Sequence, residues 1–307
     1  MRFVVTGAAG FIGSHLADAL RARGDEVVAV DCFTDYYARA RKERNAAGLD
    51  VRELDLAAAP LGDLVAGADG VFHLAGQPGV RASWGESFGL YLDRNVRASQ
   101  RLFEAAAAAG TRVVFASSSS VYGEAETYPT PETVEPRPIS PYGITKLACE
   151  HLAAAGARAQ GLEAVVLRYF TVYGPRQRPD MAFTAMLEAL ARGETFRLFG
   201  DGGAARSFTF VADAVAATIA AMERGRAGET YNVGGGDEAT MSEAIAIAEE
   251  LAGRTLAVER AGAAAGDVRR TRADVTKALG ELGWAPTTPL PVGMQAQWEW
   301  AAVESPA

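Results

Sequence analysis

The chain has 307 residues, a formal net charge of −8 at pH 7, and is 49% hydrophobic; this acidity, without a broad basic face, argues against a nucleic-acid partner. No apolar run approaches the roughly 20 residues that cross a bilayer, and the opening MRFVVTG carries no leader-like segment. Cys32 and Cys149 are too few and too separated for a disulfide framework or a metal site, so the expectation is a cytoplasmic chain with no metal, membrane or nucleic-acid contact.

In chain order, residues 3–5 form a short apolar run suited to a buried parallel strand, followed by Gly7, Gly10 and Gly13. Phe11 and Ile12 lie within this turn, and Ile12, Leu16, Ala19 and Leu20 then fall at helical spacing. Strand, glycine turn and helix in this order make a phosphate cradle, because glycine lets the backbone approach closely and the helix N-terminus presents free N–H groups. A second apolar run, residues 27–30, ends in Asp31, where a carboxylate would hold the ribose hydroxyls of a dinucleotide. The basic cluster Arg39, Arg41, Lys42 and Arg44 reads as a solvated helix face at least as readily as an anion site.

Further strands are expected at residues 71–75, 112–116 and 164–168, with helices at 93–109 and 142–160 between them. This alternation gives an α/β, Rossmann-type doubly wound parallel sheet over residues 1–170. Beyond it, residues 171–307 read as a smaller, loop-rich C-terminal substrate lobe with helices at 182–192 and 241–253; a segment near 205–232 is expected to return to the first domain. Ligands of such sheets bind beyond the carboxyl ends of the strands.

The run FASSSSVYG places Ser117, Ser118, Ser119 and Ser120 just past a strand end, and Tyr142 and Lys146 sit four residues apart on one helix face. A phenol is a poor base at neutral pH. An ammonium one turn away stabilises the phenolate, and roughly 4 kcal/mol of such help makes the base available near neutrality.

Taken together these motifs resemble the extended short-chain dehydrogenase/reductase family, whose nucleotide-sugar members include epimerases, dehydratases and decarboxylases. The likeness runs through residues 6–13, Asp31, Asp55 and Leu56, Leu74 and Ala75, Asn95, the serines, Tyr142 and Lys146, Tyr169, and the later YGP, GDG and GDVR segments. It implies NAD as cofactor, with Asp55 and Leu56 at the adenine and Leu74, Ala75, Asn95 and Tyr169 among its contacts. It makes Tyr142 the acid/base, Lys146 its partner on the cofactor ribose, and Ser118 a hydrogen-bonding partner of the reacting oxygen. A homodimer is also implied. Ser207 and Ala212 stand where relatives carry acids, and Gly76 where alanine is usual.

Ser119 and Ser120 leave no ionisable group where dehydratases and decarboxylases of the family carry one, which favours epimerisation by oxidation and re-reduction at one carbon. The segments FTDYY and FTVYGPRQRPDMA are similar to UDP-glucuronate 4-epimerases. By that resemblance Ser119, Ser120, Thr171 and Arg178 would meet a sugar carboxylate, and Arg206 and Arg269 the diphosphate and ribose of a UDP-sugar. A 4-epimerase for UDP-glucose or UDP-N-acetylglucosamine, a decarboxylase or dehydratase, and a non-enzymatic dinucleotide sensor remain as alternatives.

Overall fold

A computed structural model describes residues 1–262 and 270–304. The first half alternates strand and helix: β1 (Arg2–Thr6), α1 (Phe11–Ala22), β2 (Glu26–Asp31), α2 (Arg39–Asn45), β3 (Val51–Glu53), α3 (Gly62–Val65) and β4 (Gly70–His73). It continues with α4 (Phe88–Tyr91), α5 (Ala98–Ala109), β5 (Val113–Ser118), α6 (Pro141–Gln160) and β6 (Ala164–Tyr169). With β10 (Thr230–Val233), introduced below, these strands form one sheet in the order β10-β6-β5-β4-β1-β2-β3, all neighbours parallel. Strand order reverses between β1 and β4, the crevice where such sheets take ligands.

Both faces of this sheet are covered, which is why its central strands read as continuous apolar runs. One face packs Phe3, Val5, Phe72 and Leu167 against Leu16, Leu20 and Ala217, while the other packs Val4, Val71 and Phe115 against Leu102, Phe103 and Ala153. Helix α6 is well delimited: Ser140 caps it by accepting the Gly143 N–H (3.1 Å), Pro141 stands in its first turn, and Gly161 closes it in the left-handed region.

The second half holds β7 (Thr171–Tyr173), α7 (Ala182–Arg192), β8 (Phe196–Phe199), β9 (Ala205–Phe210), α8 (Val211–Arg224), β10, β11 (Glu238–Thr240) and α9 (Met241–Ala252). Then come β12 (Val258–Ala261), β13 (Arg270–Thr271), α10 (Thr276–Leu282) and α11 (Leu290–Glu304). Strand β9 pairs with β7, β11 and β13, and β8 pairs with β12. A separate core of Tyr173, Phe183, Met186, Leu187, Phe208 and Met294 lies beneath α7, α9 and α11.

Two differences from the sequence reading have physical causes. The segment expected to return near residue 205 returns only from Val211, because β9 is held by three partners in the second sheet while α8 and β10 lie on and in the first. The helix expected over 93–109 starts at Phe88 and passes through a π-helical stretch at Leu92–Arg97 before α5. That wider turn contains Asn95, whose buried amide is fully engaged outside the helix.

Candidate active site

The β1–α1 turn folds back tightly on itself. A Cβ on Gly13 would stand 2.1 Å from the Gly7 carbonyl oxygen, and Gly7, at φ +71°, lies against the backbone of Leu74 and Ala75. Gly10 caps α1 with no side chain, so the first N–H groups of the helix open into solvent space at the sheet's crevice. At the end of β2, each Asp31 carboxylate oxygen accepts one backbone N–H, from Ala9 (3.1 Å) and Phe33 (2.8 Å). Phe33 takes a positive φ of 45° to make this contact, a strained conformation for an aromatic residue.

From this turn a single cleft of 280 Å³ runs across the strand ends. Gly7, Gly10, Phe11, Ile12, Gly13 and Asp31 line one end, and Asp55, Leu56, Leu74 and Ala75 continue the wall. Ser118, Tyr142, Lys146, Tyr169 and Arg178 line the other end. Residues separated by more than a hundred positions in sequence thus share one space.

At the far end, Lys146 is almost wholly buried and donates from Nζ to the Ala116 carbonyl (2.8 Å). One helical turn away, the half-buried Tyr142 packs edge-on against Tyr91, ring centroids 6.3 Å apart. Ser118 Oγ accepts the Ser120 N–H and bonds to Ser120 Oγ, both at 3.1 Å. Arg178 is held bidentately by Asp180 (2.9 and 3.0 Å), which also accepts the Tyr36 hydroxyl.

Asn95, Ser119, Ser120, Thr171 and Arg206 stand outside the cleft lining. Asn95 lies behind it, accepting the Gln77 N–H (2.7 Å) and donating to Gln77 O and Thr145 Oγ1. Gly76 leaves room for this: a Cβ there would come 2.9 Å from Asn95 Oδ1. Ser119 and Ser120 form a short 3₁₀ turn after β5, and half-buried Thr171 falls between two lining residues, Phe170 and Val172. Arg206 sits on β9 and donates to the Ala205 carbonyl; Arg269 lies outside the described residues. Ser207, in place of an acid, is buried in β9, and Asp213, beside Ala212, accepts from Thr287 Oγ1 and Thr288 N.

The structure brings Tyr36 and Tyr37 of the FTDYY segment into the lining, and adds Lys42, Gln77 and Arg94, which the sequence did not assign to the site. Lys42 corrects the solvated-face reading of its cluster. It is 5% exposed and donates to Thr34 O (2.6 Å) and Oγ1 (2.9 Å). Burial pulls its pKa down against the raising pull of Asp31, and burial together with Asp31 and Asp55 pushes the neighbouring Cys32 thiol up. Arg39 does fit the solvated reading, gripping Glu53 at the surface.

A family model described as the NAD dependent epimerase/dehydratase family matches residues 3–234. This chain belongs to that family. Within this epimerase/dehydratase group it is 39% identical over 304 residues to a Bacillus subtilis (strain 168) protein called uncharacterized UDP-glucose epimerase YtcB, covering 96% of each chain. The UDP-glucuronic acid 4-epimerase of Bacillus cereus, solved with UDP-glucuronic acid and NAD, matches at TM-score 0.95 and 36% identity, over 99% of this chain and 100% of that one. MoeE5, solved with the same two ligands, matches at TM-score 0.90 and 44% identity, over 99% of this chain and 100% of that one.

Proposed function

We propose that the protein is an NAD-dependent UDP-sugar 4-epimerase interconverting UDP-glucuronate and UDP-galacturonate. The observation that carries this reading is the placement of Tyr142 and Lys146 in the same cleft as the glycine cradle and Asp31. The cradle fits a dinucleotide: it is too tight for any Cβ at Gly13, has no side-chain cap at the α1 N-terminus, and faces a carboxylate already oriented by two amides.

Gly7–Gly13 would hold the pyrophosphate, Asp31 the adenosine ribose, and Asp55 and Leu56 the adenine edge; Asp31 also disfavours a 2′-phosphate. When bound, NAD supplies the acceptor and then the donor for the hydride exchanged at the sugar's carbon 4. Tyr142 takes the proton of the carbon 4 hydroxyl and later returns one, Lys146 favours its phenolate, and Ser118 hydrogen-bonds the same oxygen. Grip on the nucleotide, which the family resemblance alone assigns to Arg206 and Arg269, would leave the sugar free to present its other face.

A neutral-sugar 4-epimerase is the second reading. It is favoured by the Arg178–Asp180 pair, in which the guanidinium is charge-compensated before any sugar carboxylate arrives. Proton NMR of products from UDP-glucuronate, UDP-glucose and UDP-N-acetylglucosamine separates the two. UDP-galacturonate formed in preference to the others supports the first reading, and turnover of UDP-glucose alone refutes it.

The same proposal includes a homodimer in the cytoplasm. Trp84, Leu90, Leu92 and Ile144 are exposed on and beside α4 and α6, and among the described residues no helix is long and apolar enough to cross a membrane. Light scattering is expected to give twice the 32.2 kDa chain mass.

A further inference from the structure

On α6, Tyr142, Lys146 and Glu150 follow one another at four-residue steps and so share one face. The first two reach the cleft wall; Glu150 does not. Its carboxylate, 9% exposed, is gripped from β6 by Arg168 through Nε (3.0 Å) and Nη2 (2.7 Å). A third donor comes from β5, where Ser117 Oγ bonds Glu150 Oε1 at 2.5 Å. The Arg168 guanidinium lies over the Tyr122 ring at 4.7 Å, with Nη1 buried and without a hydrogen-bond partner.

A buried ion pair is poor value for stability, because desolvating two charges offsets their attraction. Its position is more telling. Ser117 lies between Ala116, whose carbonyl receives Lys146, and Ser118; all three line the cleft that Tyr142 also lines. Helix α6 is therefore fastened to the last three residues of β5 at two points one helical turn apart, Lys146 on Ala116 and Glu150 on Ser117.

We propose that Glu150, with Arg168 and Ser117, is a positioning group that fixes where Tyr142 and Lys146 stand relative to Ser118. This rests on the reading of Tyr142 as acid/base given above. Arg168 orients the carboxylate, the carboxylate holds Ser117, and the strand end carrying Ser118 and the Lys146 acceptor is thereby held in register with the helix. Glu150 and Arg168 lie outside the cleft lining and act only through Ser117, which lines the cleft next to Ser118.

The decisive variant is Ser117→Ala, which removes one hydroxyl and leaves the ion pair intact. Assayed as the NAD-loaded full chain with UDP-glucuronate, it is expected to lower kcat about tenfold with little change in KM, since small misplacements of reacting groups are costly. The acidic limb of its kcat/KM profile is expected to move to higher pH as Lys146 loosens, and Ser117→Thr to restore both. A crystal structure of Ser117→Ala is expected to show the Lys146–Ala116 contact lengthened beyond about 3.5 Å. A lowered melting temperature with kcat, pH limb and that contact all unmoved would make the trio structural and overturn the inference. Turnover retained by Tyr142→Phe would overturn the reading of the site itself, and this inference with it.

Discussion

Tyr142 and Lys146 line the cleft from one face of α6, and the Lys146 ammonium gives one of its hydrogen bonds to the Ala116 carbonyl. In Tyr142→Phe, the chain should keep its NAD while kcat falls by roughly 10²–10⁴, the usual worth of a positioned acid/base; cofactor content after gel filtration and NMR turnover measure the two separately. Thr171 sets a different problem. Oxidising carbon 4 of a glucuronate leaves a ketone β to the carboxylate, which loses carbon dioxide readily unless the carboxylate is held charged and out of the perpendicular geometry. In Thr171→Ala the fraction of UDP-pentose product should rise, and an unchanged product ratio would remove Thr171 from that role. At this scale, legibility followed locality. Tyr142 and Lys146 announce themselves by spacing, whereas Lys42 sat in a basic run whose burial depends on Thr34 folding over it. The Glu150–Arg168 pair bridges two elements inside stretches that otherwise read as ordinary helix and buried strand.

At the scale of elements, the β1–α1 turn has the least freedom. Gly13→Ala would drive a methyl into the Gly7 carbonyl, so the turn must open and its N–H groups splay. The expected outcome is loss of bound NAD, read from absorbance of the purified protein. Helices with strong local signals were placed closely by sequence: Ala182–Arg192 and Pro141–Gln160 both begin and end within a residue of expectation. The second sheet was not seen. Strands of two to six residues such as β13, β11 and β9 are specified by partners far along the chain, and nothing local marks them. The π-helical turn at Leu92–Arg97 escaped for the same reason, since it exists to let Asn95 serve the Gln77 backbone.

For the molecule as a whole, burial of His73 sets a pH dependence. The ring is fully enclosed, bonded to Thr6 Oγ1 (2.8 Å) and Ser99 Oγ (3.0 Å), and burial, with Lys146 adding, drives its pKa from the usual 6.5 to about 3. The native state keeps it neutral while the unfolded chain binds a proton below 6.5. Stability is therefore fully present above that pH and is lost as pH falls toward 3, with a slope from this group approaching about 1.4 kcal/mol per unit. Urea midpoints at about pH 5 and pH 7 should differ less in His73→Gln than in the parent chain.

The return of Thr230–Val233 to the edge of the seven-stranded sheet has one more outcome. Because the polypeptide leaves after Tyr169, builds most of a second layer, and only then comes back to finish the first, neither part can be excised cleanly. A fragment stopping at residue 170 would bare the flank of Ala164–Tyr169 and the apolar surface that Val211–Arg224 and Trp284 shield. Such a fragment should precipitate on expression and recover solubility when residues 171–307 are supplied in trans. Each part would then serve as the other's folding scaffold.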